Sequence, residues 1–534
     1  MFATLATALF LSAPPAPDTS AARIADDTTI LAADDMEGRE VGTPGYDRAA
    51  SYVAARMADI GLEPGDDDGD YRLPMALVRT GKADVAPTVT IGGKTYSHGS
   101  DALIQSDPAL AAGSRDYRLV FVGDGYDVPE FGGTPYGDVD VAGKIAIVAP
   151  YQVEGGPPDV MAHLQQALSQ IVADKGAKGV LFLLPPTLPE GVWEQILSGS
   201  DSEEGALLLS DDDGRPYSAI DGLDVFMMLK GEANADLFAG SAMRFEDVFA
   251  ALASGGALTP ADLAARLTVT TAPAPIAERI ESDNVVGIIE GSDPALADEI
   301  LVVTAHLDHV GIDPEQDGDD KIFNGAFDNA VGVASMLEAA RQIAASGTAP
   351  RRSIAFVALA AEEVGLYGSA DLARRGTIAG KRIVANVNLD MPLTLTPFDK
   401  VIAFGAEHST LGDDVAATAT EMSLRIIEDP SPEEVFFVRS DHYSFVKEGI
   451  PSVMLDVWPT ENPDQVAKEF LETWYHGPGD EVGLITDWQP SAMFADLNAR
   501  LITRIANQSA APRWYDDSYF GRALAPDAPK ATRP

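Results

Sequence analysis

Histidine and carboxylate residues gather in a few short phrases of the second half of the chain: His306-Leu307-Asp308-His309, Gly325-Ala326-Phe327-Asp328-Asn329, Glu362-Glu363, Asp390, Asp456 and Trp474-Tyr475-His476-Gly477-Pro478-Gly479-Asp480. A set so purely acidic plus imidazole repels itself unless a cation sits among its members. Cysteine is absent, so thiol nucleophiles, disulfides and thiolate metal sites are excluded. Imidazole with carboxylate suits Zn2+ or another borderline divalent metal. Such a metal lowers the pKa of bound water toward about 7, and a free carboxylate beside it can take the proton and return it to a leaving amine. The chemistry within reach is amide hydrolysis.

These phrases need elements that bring them to one edge. Strand-like runs at Glu299–Ala305, Ser353–Leu359, Ile383–Leu389, Val401–Phe404 and Ser452–Leu455 alternate with helical stretches such as Ala330–Ala345, which Gly347 ends. That alternation predicts an α/β fold with a mixed, mostly parallel sheet flanked by helices. Ligands in such sheets bind beyond the carboxyl ends of the strands, where the acidic phrases fall. Upstream, Ser20 to Leu62 reads as helical, with Tyr46, Ala49, Tyr52, Val53 and Met57 at helix spacing and Gly61 as a stop. From about Asp116 the character changes. Strand-like Arg118–Val122, Lys144–Val148 and Gly179–Leu184 and a helical Val160–Lys175 predict a smaller inserted α/β or β-rich domain. The expected organisation is 1–19 a signal peptide or disordered start, 20–115 and 256–505 the two parts of a catalytic domain, 116–255 the insert, and 506–534 a tail. The Ala272-Pro273-Ala274-Pro275 run marks a further boundary.

The phrases named above, with Glu362-Glu363-Val364-Gly365-Leu366-Tyr367-Gly368-Ser369, Asn388-Leu389-Asp390 and Ser440-Asp441-His442-Tyr443-Ser444-Phe445, resemble the co-catalytic dizinc exopeptidases. That family includes the bacterial leucyl aminopeptidases and glutamate carboxypeptidase, and the match runs from about Asn284 to Ile505. The insert resembles a protease-associated domain through Val139-Asp140-Val141-Ala142-Gly143-Lys144 and Lys175-Gly176-Ala177-Lys178-Gly179-Val180. The resemblance implies the zinc exopeptidase fold and two zinc ions per chain bridged by Asp328. His306 and Asp390 would complete one site, and Glu363 and His476 the other. It implies Glu362 as general base, Asp308 as the carboxylate orienting His306, and Tyr475 as the phenol that stabilises the oxyanion. Some members carry that phenol just before Ser-Asp-His, where Phe437 stands here. It also implies a cis Asp328–Asn329 peptide bond. Adjacent Glu362 and Glu363 can divide base from ligand only where the backbone is irregular enough to turn both inward.

The implied activity is a zinc-dependent exopeptidase acting on peptides. Charge complementarity favours amino-end cleavage, because an α-ammonium group suits an acidic edge where only Arg439 and Lys447 are basic. Among rivals, carboxypeptidase-like amidohydrolases insert a domain after the Glu-Glu pair, whereas the insertion here precedes His306. A glutaminyl cyclase, or a receptor-like relative without catalysis, lacks the complete ligand set.

The 37 Lys+Arg against 83 Asp+Glu leave a net charge of −46, which argues against nucleic-acid or anionic-membrane partners. The apolar run Phe2–Leu11, followed by Ser12-Ala13-Pro14-Pro15-Ala16, reads as a secretory signal without the usual basic start. The expected location is therefore periplasmic or secreted, with no membrane span. Oligomeric state is not legible. His98, His163 and His408 read as structural or exposed, and His309 and His442 as supporting or packing residues. Asp313-Pro314-Glu315-Gln316-Asp317-Gly318-Asp319 reads as a solvated acidic loop, Asp66–Asp70 as a turn, and the end from Ala523 to Pro534 as frayed.

Overall fold

The computed structural model describes residues 19–534 apart from 67–68, 82, 84, 109, 150–155, 190, 199–204, 212, 218–219, 232 and 273. The Phe2–Leu11 run, Asp67 and Asp68 of the acidic turn, and Pro273 of the boundary lie outside the described residues.

Four parallel strands form the centre of the main sheet: β1 (Glu299–His306), β2 (Ser353–Leu359), β3 (Lys381–Asn388) and β4 (Ser452–Pro459), in the order β2-β1-β3-β4. Every residue of β2 is buried, as expected of an apolar, β-branched run covered on both faces. Register pairs His306 with Leu359 and Thr304 with Asn388, so the carboxyl ends of β1, β2 and β3 finish level. The sheet is mixed because its flanks are antiparallel. Phe398–Phe404 runs against β4, while Ile276–Ile289 lies against β2 and is followed outward by Arg72–Thr80 and Leu207–Ser210. Helices Val331–Ala345, Gln489–Ala506 and Thr19–Leu31 pack together. Arg23 of the last meets Glu338 at 2.7 Å. Helix Pro44–Ile60 ends on Gly61 at φ 88°, the left-handed stop expected from the sequence.

A second sheet runs Lys94–Ser97, Thr88–Ile91, Ala261–Thr271, Gly113–Phe121, Ile145–Val148, Gly179–Phe182, Val225–Leu229, Ala102–Ser106. The inserted unit is thus wider than the expected 116–255. Strand pairing carries Thr88–Ser106 and Ala261–Thr271 into it, because Ala261–Thr271 lies antiparallel to Gly113–Phe121 on one side and to Thr88–Ile91 on the other. The insert also gives one strand back, since Leu207–Ser210 pairs antiparallel with Arg72–Thr80 of the main sheet.

The end of the chain is packed rather than frayed. Trp514 is 2% exposed and donates through Nε1 to the Gly449 carbonyl at 2.7 Å, while Ala531 N–H reaches the Trp514 carbonyl at 2.9 Å. Phe520, fully buried, anchors the same segment. No helix among the described residues is long and apolar enough to cross a membrane.

Candidate metal centre

His306 is the last residue of β1 and is 1% exposed. Its Nε2 lies 3.1 Å from Asp328 Oδ1 and 3.1 Å from Asp390 Oδ1. On the other side of Asp328, Oδ2 stands 3.2 Å from His476 Nε2, which is in turn 2.9 Å from Glu363 Oε2. Asp328 therefore faces both groups, and all five residues singled out as ligands converge. Zinc bonds of about 2.0–2.1 Å in tetrahedral array place donors roughly 3.3 Å apart. Separations of 2.9–3.2 Å between imidazoles and carboxylates fit a divalent ion of that kind.

The local backbone is bent to make this possible. Ala361, just before the Glu-Glu pair, has φ 58°, and His476 has φ 49°. The Asp328–Asn329 peptide bond is cis, as the resemblance implied. Gly325 has φ 56°, and a Cβ there would come within 2.2 Å of the Asp328 carbonyl oxygen and 2.5 Å of the His309 ring; only glycine allows that approach.

Asp308 needs a correction. It was expected to orient His306 through its carboxylate, but His306 Nδ1 pairs with the Asp308 main-chain carbonyl at 3.1 Å. The carboxylate instead accepts the N–H groups of Glu362 at 3.1 Å and Glu363 at 3.3 Å. It thereby fixes the turn presenting both glutamates. Burial pushes its pKa up to about 7.

Glu362 lies beside this cluster, lining the same cavity as His306, Asp328 and Asp390. Burial, reinforced by the charges of Glu363 and Asp390 and opposed by His306, raises its pKa well above the usual carboxylate range. Tyr475 lines the cavity and stacks on the His476 ring with centroids 3.9 Å apart. Its hydroxyl accepts from Arg439 Nη2 at 3.3 Å, and burial raises its pKa.

Three supporting residues received no role in the sequence reading: Asp480 and Ser440 lay inside quoted phrases, and Arg39 went unnamed. Asp480 accepts the N–H groups of Phe327 and Asp328 at 2.9 Å each. Ser440 donates to Asp390 Oδ2 at 2.5 Å and accepts from Asn388 Nδ2 at 2.7 Å. Arg39, wholly buried, donates to the carbonyls of Leu307, Leu31, Asn324 and Gly325 at 2.6–2.9 Å. Burial lowers its pKa to about 10, against the pull of Asp328, Asp480, Asp308 and Glu363. The Gly38-Arg39-Glu40 phrase carries no sequence signal for this role. His309 also joins the cluster, with Nδ1 2.7 Å from Glu363 Oε1 and its ring grouped with Asp328 and Glu363 as donors that could hold a cation.

Residues 284–502 match the model of peptidase family M28, so the resemblance carried by the motifs is borne out over that segment. Aminopeptidase YwaD of Bacillus subtilis is 30% identical over 210 residues, 38% of this chain and 40% of that protein. A probable leucine aminopeptidase of Arthroderma otae is 31% identical over 186 residues, 34% of this chain and 49% of that protein. The chain thus spans less than half the length of these curated relatives. Among solved structures, an aminopeptidase from Aneurinibacillus sp. strain AM-1 aligns over 90% of this chain and 93% of its own, with 20% identity and a TM-score of 0.43.

Proposed function

We propose that the chain is a zinc-dependent exopeptidase that removes residues from the amino end of peptides. The observation that carries this reading is Asp328, buried between the His306–Asp390 pair and the His476–Glu363 pair, with Glu362 left outside both pairs. Two zinc ions would be held, one by His306 and Asp390, the other by Glu363 and His476, with Asp328 facing both. When bound, zinc lowers the pKa of water and polarises the scissile carbonyl.

The chain's own groups do the rest. Among the described residues the Glu362 carboxylate makes no side-chain hydrogen bond to an imidazole, and its raised proton affinity suits it to accept a proton from the attacking water and deliver it to the leaving amine. Asp308 keeps Glu362 and Glu363 facing inward through their main-chain N–H groups. The Tyr475 hydroxyl, at the rim of the same cavity, is the donor for the developing oxyanion. An acidic cavity favours the α-ammonium end of a peptide.

The insert, read as a protease-associated domain, governs access of peptides rather than chemistry, because it supplies none of the ligand residues. Export to the periplasm or medium is the matching location, supported by the Phe2–Ala16 composition. The deciding experiment offers zinc-loaded protein matched peptides with free, amino-acetylated and carboxyl-amidated ends, and reads products by mass. Loss of one residue from the amino end, suppressed by acetylation alone, is expected. Rapid cleavage of the acetylated peptide would overturn the reading.

A further inference from the structure

The metal centre opens into a cavity lined in part by its own ligand residues. Its walls are apolar, built by Met391, Leu393, Ile402, Phe404, Met454 and Trp458, yet two aspartates, Asp456 and Asp429, share them. Asp456 stands within the pairing of β4 with Phe398–Phe404, opposite Ile402. It feels the charge of Asp390 on the metal side and of Asp429 beyond, so the acidic track continues from the centre into the pocket.

Neither carboxylate is fully used by the fold. Asp456 Oδ1 accepts the N–H groups of Leu393 at 2.9 Å and Val457 at 2.6 Å, and Asp429 Oδ1 accepts Ser431 N–H at 2.9 Å. Their Oδ2 atoms have no hydrogen bond among the described residues. Asp480 behaves differently: both of its oxygens are taken by main-chain N–H groups. Arg439, the one Arg or Lys among the described residues lining the cavity, is already engaged by Glu434 at 3.3 Å and by Tyr475. A carboxylate facing an apolar cavity without a counter-charge is unfavourable, and burial accordingly pushes Asp456 up to about 7. A leucine-like side chain would fill the walls but strip water from both acids. A long side chain with an aliphatic stem and a cationic head would satisfy walls and acids together.

We propose that this cavity selects a basic amino-terminal residue, lysine or arginine, and that Asp456 and Asp429 are its specificity determinants. The inference rests on the amino-end reading above and names the substrate class of the same site.

The test compares aminoacyl-coumarin amides of Lys, Arg, Leu and Met on the zinc-loaded full chain, with Asp456→Asn and Asp429→Asn beside wild type. Asparagine keeps the Oδ1 acceptor, so the loops stay folded, and zinc content verifies the centre. Lys and Arg amides are expected to exceed Leu in kcat/KM by at least about tenfold, with the preference carried in KM and weakened by salt. Each Asn variant should erase most of that preference, read as the ratio of the Lys and Arg amides to the Leu amide in kcat/KM. Leu or Met favoured by the wild type, or a basic preference untouched in both variants, overturns the inference with amino-end cleavage intact. Inertness toward all four amides alongside cleavage of blocked peptides overturns the amino-end reading, and this inference with it.

Discussion

Asp480 and Asp328 stand 152 residues apart in sequence, yet the Asp480 carboxylate accepts the Asp328 main-chain N–H at 2.9 Å. The same carboxylate takes the Phe327 N–H, so a residue that touches no candidate ion fixes the backbone carrying the central carboxylate. Groups that orient ligands typically govern metal affinity by about 10–100-fold. Asp480→Ala should weaken zinc binding by that factor, while Asp480→Asn, which keeps an acceptor, should lose less. Competition with a chromogenic chelator measures both, and wild-type affinity in the alanine variant would count against the role.

Glu362 and Glu363 separate base from ligand. Glu362→Gln should retain zinc and fold while kcat falls at least about 10²-fold, the low end for a general acid–base group. Glu363→Ala should lose metal first, with partial rescue by excess zinc. A Glu362→Gln enzyme keeping more than roughly a tenth of kcat would exclude it as the base.

Arg39 is a buried cation facing the acidic cluster, and its guanidinium serves five carbonyls, that of Asp328 among them. Arg39→Met removes the guanidinium donors from those buried carbonyls, a loss on the order of 3 kcal/mol or more. The deficit should be larger in chelator than in zinc, because only the metal then offsets the carboxylates. Chemical denaturation with and without chelator reads the difference, and equal deficits would show that Arg39 acts through its hydrogen bonds alone.

His163, on the insert helix Pro158–Asp174, is 3% exposed and meets the Tyr443 hydroxyl at 2.9 Å. Burial lowers its pKa from 6.5 to about 4. Between those values the unfolded chain binds more protons than the folded one, so stability falls as pH drops from 6.5 toward 4, by about 3 kcal/mol in total. Above pH 6.5 the imidazole is neutral in both states and adds no slope. His163→Gln should flatten the stability curve within that window only; an unchanged slope there would rule out the buried neutral imidazole.

The parts legible in the sequence were those with strong local patterns. β2 occupies the expected Ser353–Leu359, and the helix expected at Ala330–Ala345 occupies Val331–Ala345. The ligand phrases were readable because residue type and position at strand ends both carried information. Strand Ile276–Ile289 was not, since its first half, Ile276–Glu281, is largely exposed and charged and carries no apolar period. The breadth of the insert was hidden for a related reason: Ala261–Thr271 joins it by pairing with Gly113–Phe121, a long-range choice that composition does not encode. Asp308 was identified as important but given the wrong atom, because the sequence cannot tell a carbonyl from a carboxylate.

Leu207–Ser210 does more than add a row to the sheet. Without it, Arg72–Thr80 would be the outermost strand, offering unpaired N–H and C=O groups along Arg79, Val78, Leu77 and Ala76, the residues it now pairs. An exposed edge of that kind is a template for sticking to other chains. Excising the insert would therefore lay bare an aggregation seam, and a trimmed catalytic unit would need that edge blunted, by a lysine or a proline, to remain monodisperse.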